Sequence, residues 1–225
     1  LAGATDSHYT RSPVQAAHAG IYAVVVSNAL GSVTSSNATL AISVPPGIIA
    51  QPQSATVIAG TNITFTVTAT GTAPLSYQWI FDGTNIPGAT ASSYTRINVQ
   101  PTDAGAYAAI VTNVAGSVTS SNALLTVLVP PVIITQPQSI AVAAGSNATF
   151  TVIATGTVPL EYQWRFNGTN LAAATDSAYT CWNVQAENAG SYSVVVSNLA
   201  GTVASSEAEL TLIPSAPLQI DWIRL

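Results

Sequence analysis

The segment Tyr77-Gln78-Trp79, followed by the pair Asp82-Gly83, decides the fold of this chain. Its two aromatic residues flank a polar one, as in a half-buried β-strand, and an Asp-Gly pair suits a two-residue hairpin turn. The same arrangement returns further along the chain, with the same internal spacing, as Tyr162-Gln163-Trp164 and Asn167-Gly168. The segment therefore predicts a β-hairpin that the chain uses twice.

This hairpin belongs to a repeat whose period is constant and equals the spacing from Trp79 to Trp164. The two complete copies share an opening motif and a later Gly-x-Tyr motif, and the later motif also occurs once upstream: Gln51-Pro52-Gln53-Ser54, Gln136-Pro137-Gln138-Ser139, Gly20-Ile21-Tyr22, Gly105-Ala106-Tyr107 and Gly190-Ser191-Tyr192. A fixed period of this kind signals one structural unit per repeat. We therefore predict the C-terminal half of a domain at 1–44, complete domains at 45–129 and 130–213, and at 214–225 a tail or the first strand of a different module.

Local patterns within each repeat predict β-strands throughout. Ile63, Phe65 and Val67 alternate with polar residues, and turn signals recur at the spacing of about 8–12 residues that is typical of β-sandwiches. Prolines occupy the junctions at 45–46 and 130–131, where they fix φ and leave no flexible spacer. We therefore predict an all-β fold of tandem sandwiches, two complete and one partial, in a rod-like array.

These motifs resemble the I-set of the immunoglobulin superfamily over nearly the whole chain. The resemblance is carried by a strand-C tryptophan at Trp79, an Asp-x-Gly-x-Tyr corner of strand F at 103–107, and an Asn-x-x-Gly turn into strand G at 113–116. The Tyr-Gln-Trp and Asn-Gly-Thr-Asn motifs are also similar to those of immunoglobulin-like repeats of large secreted bacterial proteins. The resemblance implies immunoglobulin-like β-sandwiches.

The chain departs from this family at the positions of the inter-sheet disulfide. Where the family usually carries cysteines, this sequence has Val67 with Ala109, and Val152 with Val194. The resemblance therefore implies that side-chain packing replaces a bond that typically contributes about 2–4 kcal/mol. It also implies that three tyrosines form tyrosine corners, whose hydroxyls satisfy backbone groups. The residues expected in the structural core are Trp79, Trp164, Tyr22, Tyr107, Tyr192, Val67, Ala109, Val152 and Val194.

Charged residues are scarce: they make up 6% of the chain, against about 25% in an average soluble protein. The chain has four arginines, no lysine and a net charge of −5. So few cations cannot form the basic surface that nucleic acid or anionic lipid requires. A surface with little charge repulsion suits contact with neighbouring immunoglobulin-like domains or identical subunits. No sequence segment is apolar over the ~18 residues that a membrane span needs.

No constellation of residues in the sequence predicts a catalytic, cofactor or metal site. His18 stands where the complete repeats have Asp103 and Asn188, which favours a turn residue over a catalytic one. The single cysteine, Cys181, cannot form an intrachain disulfide, and it occupies the repeat position of Arg96, so a strand residue is expected. Calcium needs about six to eight oxygens, and no further acidic cluster accompanies the one pair of nearby carboxylates, Glu207 and Glu209.

Two tryptophans outside the repeated core are candidate contact residues. Trp182 replaces Ile97 of the preceding repeat, and it either lies exposed as a contact residue or fills a slightly different core. Trp222 lies in the segment 217–225, which is either the first strand of a different module or a donor strand for a neighbouring subunit. The strands missing from 1–44 are expected upstream in the natural chain rather than on another chain. Four glycosylation sequons are attributed to chance in a chain rich in Ser and Thr: Asn37, Asn62, Asn147 and Asn167.

These observations predict a non-catalytic structural or spacer repeat of an extracellular or cell-surface protein, with assembly into a filament or sheath as one form of that role. One alternative is an adhesin-type recognition module that binds an extracellular glycan or protein through its loops or Trp182. Another is an accessory region of a secreted enzyme. Neither a cofactor nor a nucleic-acid partner is expected.

Overall fold

The computed structural model describes residues 1–214, so the predictions for 215–225, Trp222 among them, lie outside the described residues. The described chain is built of β-strands and turns, with short 3-10 helices at Ala16–His18, Pro101–Asp103 and Ala186–Asn188. The predicted all-β fold of tandem immunoglobulin-like sandwiches is confirmed.

Residues 1–44 contain the strands β1 (Gly20–Tyr22), β2 (Val25–Asn28), β3 (Gly31–Thr34) and β4 (Ala38–Leu40). They form two antiparallel pairs, β1 with β4 and β2 with β3. Val24 and Val26 are 50% and 60% exposed, whereas their equivalents in the next repeat, Ala109 and Val111, are fully buried. The strands of this segment thus expose apolar side chains at positions that the next repeat buries.

The repeat 45–129 contains β5 (Gly47–Ala50), β6 (Ala55–Ile58), β7 (Ile63–Thr66), β8 (Thr68–Thr70), β9 (Ser76–Phe81), β10 (Thr84–Asn85), β11 (Ser93–Arg96), β12 (Gly105–Asn113), β13 (Gly116–Thr119) and β14 (Ala123–Leu128). One layer contains the pairs β5–β8 and β7–β11, and the other has the order β10-β9-β12-β14-β6, with β13 beside β12. β7 and β8 are separated only by Val67, whose N–H donates to the carbonyl of Ser92 at 3.0 Å. The two layers are those of an immunoglobulin-like sandwich.

The repeat 130–213 contains β15 (Val132–Thr135), β16 (Ile140–Val142), β17 (Ala148–Thr151), β18 (Ile153–Thr155), β19 (Glu161–Phe166), β20 (Thr169–Asn170), β21 (Ala178–Cys181), β22 (Gly190–Asn198), β23 (Gly201–Ala204) and β24 (Ala208–Leu212). One layer contains the pairs β15–β18 and β17–β21, and the other has the order β16-β24-β22-β19-β20, with β23 beside β22. β16 runs parallel to β24. The topology of the preceding repeat is therefore reproduced strand by strand.

The core of each complete repeat forms where alternate side chains of facing strands turn inward. Trp79 on β9 is paired with Ala109 on β12, and Trp164 on β19 is paired with Val194 on β22. Both tryptophans are 0% exposed. Of the residues expected in the core, Tyr22 is half-buried and eight are buried: Trp79, Trp164, Tyr107, Tyr192, Val67, Ala109, Val152 and Val194.

The hairpin between β9 and β10 turns on two residues with positive φ, Asp82 at 45° and Gly83 at 80°. Asn167 and Gly168 adopt nearly the same angles, 45° and 81°, in the next repeat. Positive φ at both central residues is the requirement of a type I′ turn, whose twist matches that of the two strands. The Asp-Gly and Asn-Gly pairs therefore set the register of the tryptophan-bearing strands.

Contacts divide the described chain into two compact units, one made of 1–55, 64–95 and 105–124, the other of 56–63, 96–104 and the residues from 125 onward. The division passes through the repeat 45–129 and does not follow the repeat period. The domain boundaries given above therefore stay predictions.

Candidate functional site

Two tyrosine hydroxyls at equivalent repeat positions bind backbone carbonyls. The hydroxyl of Tyr22 donates to the carbonyl of His18 at 2.7 Å, and that of Tyr192 donates to the carbonyl of Asn188 at 2.9 Å. Tyr107 occupies the same repeat position, and its ring stacks on Phe65 at 4.7 Å between centroids. The hydroxyls of Tyr22 and Tyr192 are held at the end of a 3-10 turn, so they stabilise the corner.

The residue four positions before each tyrosine caps that 3-10 turn, whatever its chemistry. The three capping bonds, each 2.8 Å long, run from Gln15 N–H to His18 Nδ1, from Gln100 N–H to Asp103 Oδ2 and from Gln185 N–H to Asn188 Oδ1. An imidazole, a carboxylate and an amide can each form this cap because each presents an acceptor atom to the N–H. His18 is accordingly a capping residue in this structure.

Asp103 also forms an ion pair, since Arg96 Nη2 lies 2.7 Å from Asp103 Oδ1. Burial of the carboxyl opposes its ionisation, but the hydrogen bonds from Gln100 and Arg96 and the arginine charge outweigh it and hold the pKa of Asp103 below its usual value. In the next repeat the equivalent residues are Cys181 and Asn188, so this ion pair has no counterpart there.

As a first prediction, Asp103→Asn should keep the cap, because Asn188 forms the same cap in the next repeat, and should lose the ion pair with Arg96. Because the arginine is about half exposed, the loss should be about 0.2–1 kcal/mol at pH 7. A lowered folded-state pKa contributes stability above the unfolded pKa, about 3.9, and this contribution disappears as pH falls through the folded value. Denaturant unfolding of both proteins between pH 7 and pH 2 should therefore show converging stabilities. A difference that stays constant down to pH 2 would contradict the assignment.

The residue just before the first complete repeat is hydrogen-bonded to two residues of that repeat, one in a loop and one at the end of β12. Val44 N–H donates to Thr72 Oγ1 at 2.7 Å, and Thr72 N–H donates back to the carbonyl of Val44 at 3.0 Å. Asn113 Nδ2 donates to the carbonyls of Val44 and Thr72 at 2.7 and 2.9 Å. We call this set the linker clasp of Val44, Thr72 and Asn113.

An equivalent linker clasp joins Val129, Thr157 and Asn198. Val129 N–H donates to Thr157 Oγ1 at 2.7 Å, and Thr157 N–H donates to the carbonyl of Val129 at 3.0 Å. Asn198 Nδ2 reaches the carbonyls of Val129 and Thr157, both at 2.8 Å. The junction residues are thus fastened to the repeat that follows them, by the same four bonds in both copies.

A glycine next to the threonine of each linker clasp leaves room for the proline pair. A Cβ on Gly71 would lie 2.9 Å from Pro46 Cα, and a Cβ on Gly156 would lie 3.0 Å from Pro131 Cα. Both glycines also have positive φ, at 142° and 151°. A side chain at either position would crowd the proline backbone, so glycine permits the close approach.

Trp182 lies on the surface. It is 72% exposed, and Ile97 at the same position of the preceding repeat is 69% exposed. Of the two alternatives that the sequence leaves open, the structure therefore places this side chain outside the core. Its role as a contact residue stays a prediction.

The remaining candidate residues hold no site in the structure. Cys181 is buried, with its Sγ 4.0 Å from the hydroxyl of Tyr192. Glu207 and Glu209 are exposed, and residues 1–214 contain no group of three or more side chains that could hold a metal ion. Within the same described residues, no helix is long and apolar enough to cross a membrane.

The side-chain amides are the functional groups that sequence analysis missed. Gln78 Nε2 donates to the carbonyls of Trp79 and Ile86, both at 2.8 Å, and Asn113 forms the linker clasp. Their counterparts Gln163 and Asn198 repeat these bonds. The signal available in the sequence is their recurrence at the repeat period, but recurrence does not tell which distant carbonyl an amide reaches.

Comparison with known families gives one match that covers more than half of the chain. The family described as "Immunoglobulin domain" matches residues 45–113 and 130–198. A three-domain immunoglobulin fragment of titin superposes with a TM-score of 0.77 at 22% identity, over 89% of this chain and 77% of that chain. Domains 1–4 of Sidekick-1 superpose with a TM-score of 0.63 at 20% identity, over 89% of this chain and 60% of that chain. At these identities the two structures show the fold alone.

Among curated proteins, "Leucine-rich repeats and immunoglobulin-like domains protein 1" of Homo sapiens is 30% identical over 91% of this chain and 20% of its own length. "Endoglucanase C" of Cellulomonas fimi is 32% identical over 74% of this chain and 16% of its own length. "Protein sax-3" of Caenorhabditis elegans is 30% identical over 73% of this chain and 13% of its own length. The chain thus spans about a fifth or less of the curated relatives that it matches.

Proposed function

This chain belongs to the immunoglobulin domain family, and we propose that it is a non-catalytic spacer of an extracellular or cell-surface protein. The observation that carries the proposal is the linker clasp, which occurs at both junctions with the same donors and acceptors. A junction bonded to the following repeat has fewer free backbone torsions than a flexible linker. Such a junction suits a role in which domains are held apart at a set distance.

The composition supports the same role. With 6% charged residues, the surface is covered mainly by hydroxyl, amide and aliphatic groups. Such a surface offers little charge repulsion between copies, which favours lateral contact with neighbouring domains or identical subunits. The proposal extends to assembly into a filament or sheath and to a secreted bacterial source. Both extensions are motivated by the sequence alone.

The second prediction tests the linker clasp. Asn198→Ala removes two hydrogen bonds to backbone carbonyls and should weaken the docking of Val129 by about 1–3 kcal/mol. Amide hydrogen exchange at Thr157, whose N–H donates to Val129, should accelerate, by about tenfold for each 1.4 kcal/mol. Distances between spin labels placed on either side of residues 129–131 should become more widely distributed. The junction at 44–46, with its own Asn113, is the matched control and should not change.

The spacer proposal fails if exchange at Thr157 accelerates while the spin-label distances stay as narrow as in the wild type. In that case the linker clasp holds the loop locally without stiffening the junction. It also fails if the wild-type distances are already as broad as those of a flexible linker.

The match to Endoglucanase C motivates a second candidate function, an accessory region of a secreted enzyme. The two candidates make different demands on the natural protein. A complete reading frame that joins this chain to a hydrolase domain would favour the accessory region, and one made of further repeats would favour the spacer.

A further inference from the structure

The surface around Trp182 combines an exposed aromatic ring with uncharged amide side chains. Trp182 follows β21 directly and is 72% exposed. Asn147 lies beside it across the strand pair, because its Oδ1 accepts the N–H of Asn183 at 3.0 Å. Asn183 Oδ1 in turn accepts a hydrogen bond from Gln185 Nε2 at 3.2 Å. We call these four residues the Trp182 platform.

The Nδ2 groups of Asn147 and Asn183 are hydrogen-bond donors that a ligand could use. Both amide oxygens are engaged within the protein, whereas neither Nδ2 group donates to any residue among 1–214. The segments 145–147 and 180–185 contain no charged side chain. The platform therefore offers one flat apolar ring flanked by neutral hydrogen-bond donors.

We propose that the Trp182 platform binds neutral β-linked glycans. In a pyranose with equatorial substituents the C–H bonds form a flat apolar face that can stack on the indole, while the hydroxyl oxygens at the ring edge can accept from the two amides. A charged ligand would lack a partner in these segments, and an aliphatic protein surface would bury the amide donors without acceptors. The proposal goes beyond the spacer role and does not depend on it.

The preceding repeat carries the same amide frame without the aromatic ring. Asn62 Oδ1 accepts the N–H of Asn98 at 2.8 Å, and Asn98 Oδ1 accepts from Gln100 Nε2 at 3.1 Å. At the centre of this frame stands Ile97, a branched aliphatic side chain that is exposed but offers no flat face. The chain thus contains its own comparison, in which the fold and the amides are matched and the central side chain differs. The frame also has Thr61 in place of Ser146, and Arg96, which is paired with Asp103, in place of the buried Cys181.

The third prediction uses this comparison. The full 225-residue chain is produced without N-glycosylation, because Asn147 begins a sequon, and its retention on insoluble cellulose and on chitin is measured as a binding isotherm. The wild type should bind at least one of the two, and Trp182→Ile should lower the affinity about tenfold or more. Adding Ile97→Trp to the Trp182→Ile variant should restore binding on the preceding repeat.

The stability of each variant is checked by thermal unfolding, since an exposed substitution should leave the fold intact. Absence of wild-type binding to both polysaccharides would overturn the proposal, as would equal binding by the wild type and Trp182→Ile. Failure of Ile97→Trp to restore binding would overturn the part of the proposal that assigns the amide frame a role. None of these outcomes depends on the stiffness of the junctions, so the spacer proposal is tested separately.

Discussion

Replacing Trp164 with alanine should destabilise the repeat 130–213 by about 3–5 kcal/mol. The side chain is completely buried, and its Nε1 donates to the carbonyl of Asp176 at 2.9 Å. The centroid of its ring lies 6.1 Å from that of Phe150 and 6.2 Å from that of Tyr179. Alanine would leave a large cavity and a carbonyl without its donor. Since domain stability is typically about 5–15 kcal/mol, such a loss would leave this repeat marginal or unfolded.

The control is the same substitution at an exposed position of the same repeat. Trp182→Ala should change stability by no more than about 0.5 kcal/mol. Urea unfolding followed by circular dichroism can compare the two variants without relying on tryptophan fluorescence, which both substitutions alter. Equal destabilisation by the two would contradict the assignment of Trp164 to the core and Trp182 to the surface.

Substitution of Tyr192 should have the second large effect on stability, and the contributions of its ring and its hydroxyl can be measured separately. Its ring stacks on Phe150 at 4.6 Å and contacts Phe166 at 4.9 Å between centroids. Tyr192→Ala should therefore cost about 3–5 kcal/mol, like other large-to-small changes in a core. Tyr192→Phe keeps the ring and removes the hydroxyl, with its bond to the carbonyl of Asn188 and its 4.0 Å contact with Cys181 Sγ, so it should cost about 1 kcal/mol.

The hydroxyl of Tyr192 also predicts a dependence on alkaline pH. Burial, and secondarily the neighbouring Cys181 and Tyr179, raise the pKa of Tyr192 above its ordinary value. A group with a raised folded-state pKa contributes stability that is fully present below the unfolded pKa, about 10, and lost as pH rises further. Unfolding measured from pH 7 to pH 11 should show a smaller alkaline loss in Tyr192→Phe than in the wild type. An identical loss in both would mean that the folded and unfolded hydroxyls titrate alike.

Comparison of the repeats predicts the turn role of one residue position but not the ion pair that forms beside it. The exchange of His18, Asp103 and Asn188 at one repeat position correctly favoured a turn residue, because residues of such different charge share only an acceptor atom. The ion pair between Arg96 and Asp103 is less evident, since it joins the last residue of β11 to the last residue of the following 3-10 helix, with Arg96 Nη2 2.7 Å from Asp103 Oδ1. Sequence spacing alone does not report that distance.

The sequence by itself determined the fold class and the repeat organisation. An alternation of apolar and polar residues, an Asp-Gly or Asn-Gly turn and a tryptophan at fixed spacing are local signals, and their return at a constant period makes chance agreement improbable. These signals are sufficient because strand alternation and turn geometry depend on neighbours in the chain. The predicted sandwiches, with Trp79 and Trp164 buried, follow from them.

Only the tertiary structure decided where Trp182 lies and what Asn198 binds. Trp182 stands one residue beyond β21, where strand alternation no longer tells inside from outside. Asn198 donates to Val129, which is 69 residues away in the chain, so no local pattern reports the bond. Contacts of this kind depend on how loops converge after the sheets have formed. The repeated sequence pattern predicts the sandwiches, whereas the linker clasp and the Trp182 platform become visible only in the tertiary contacts.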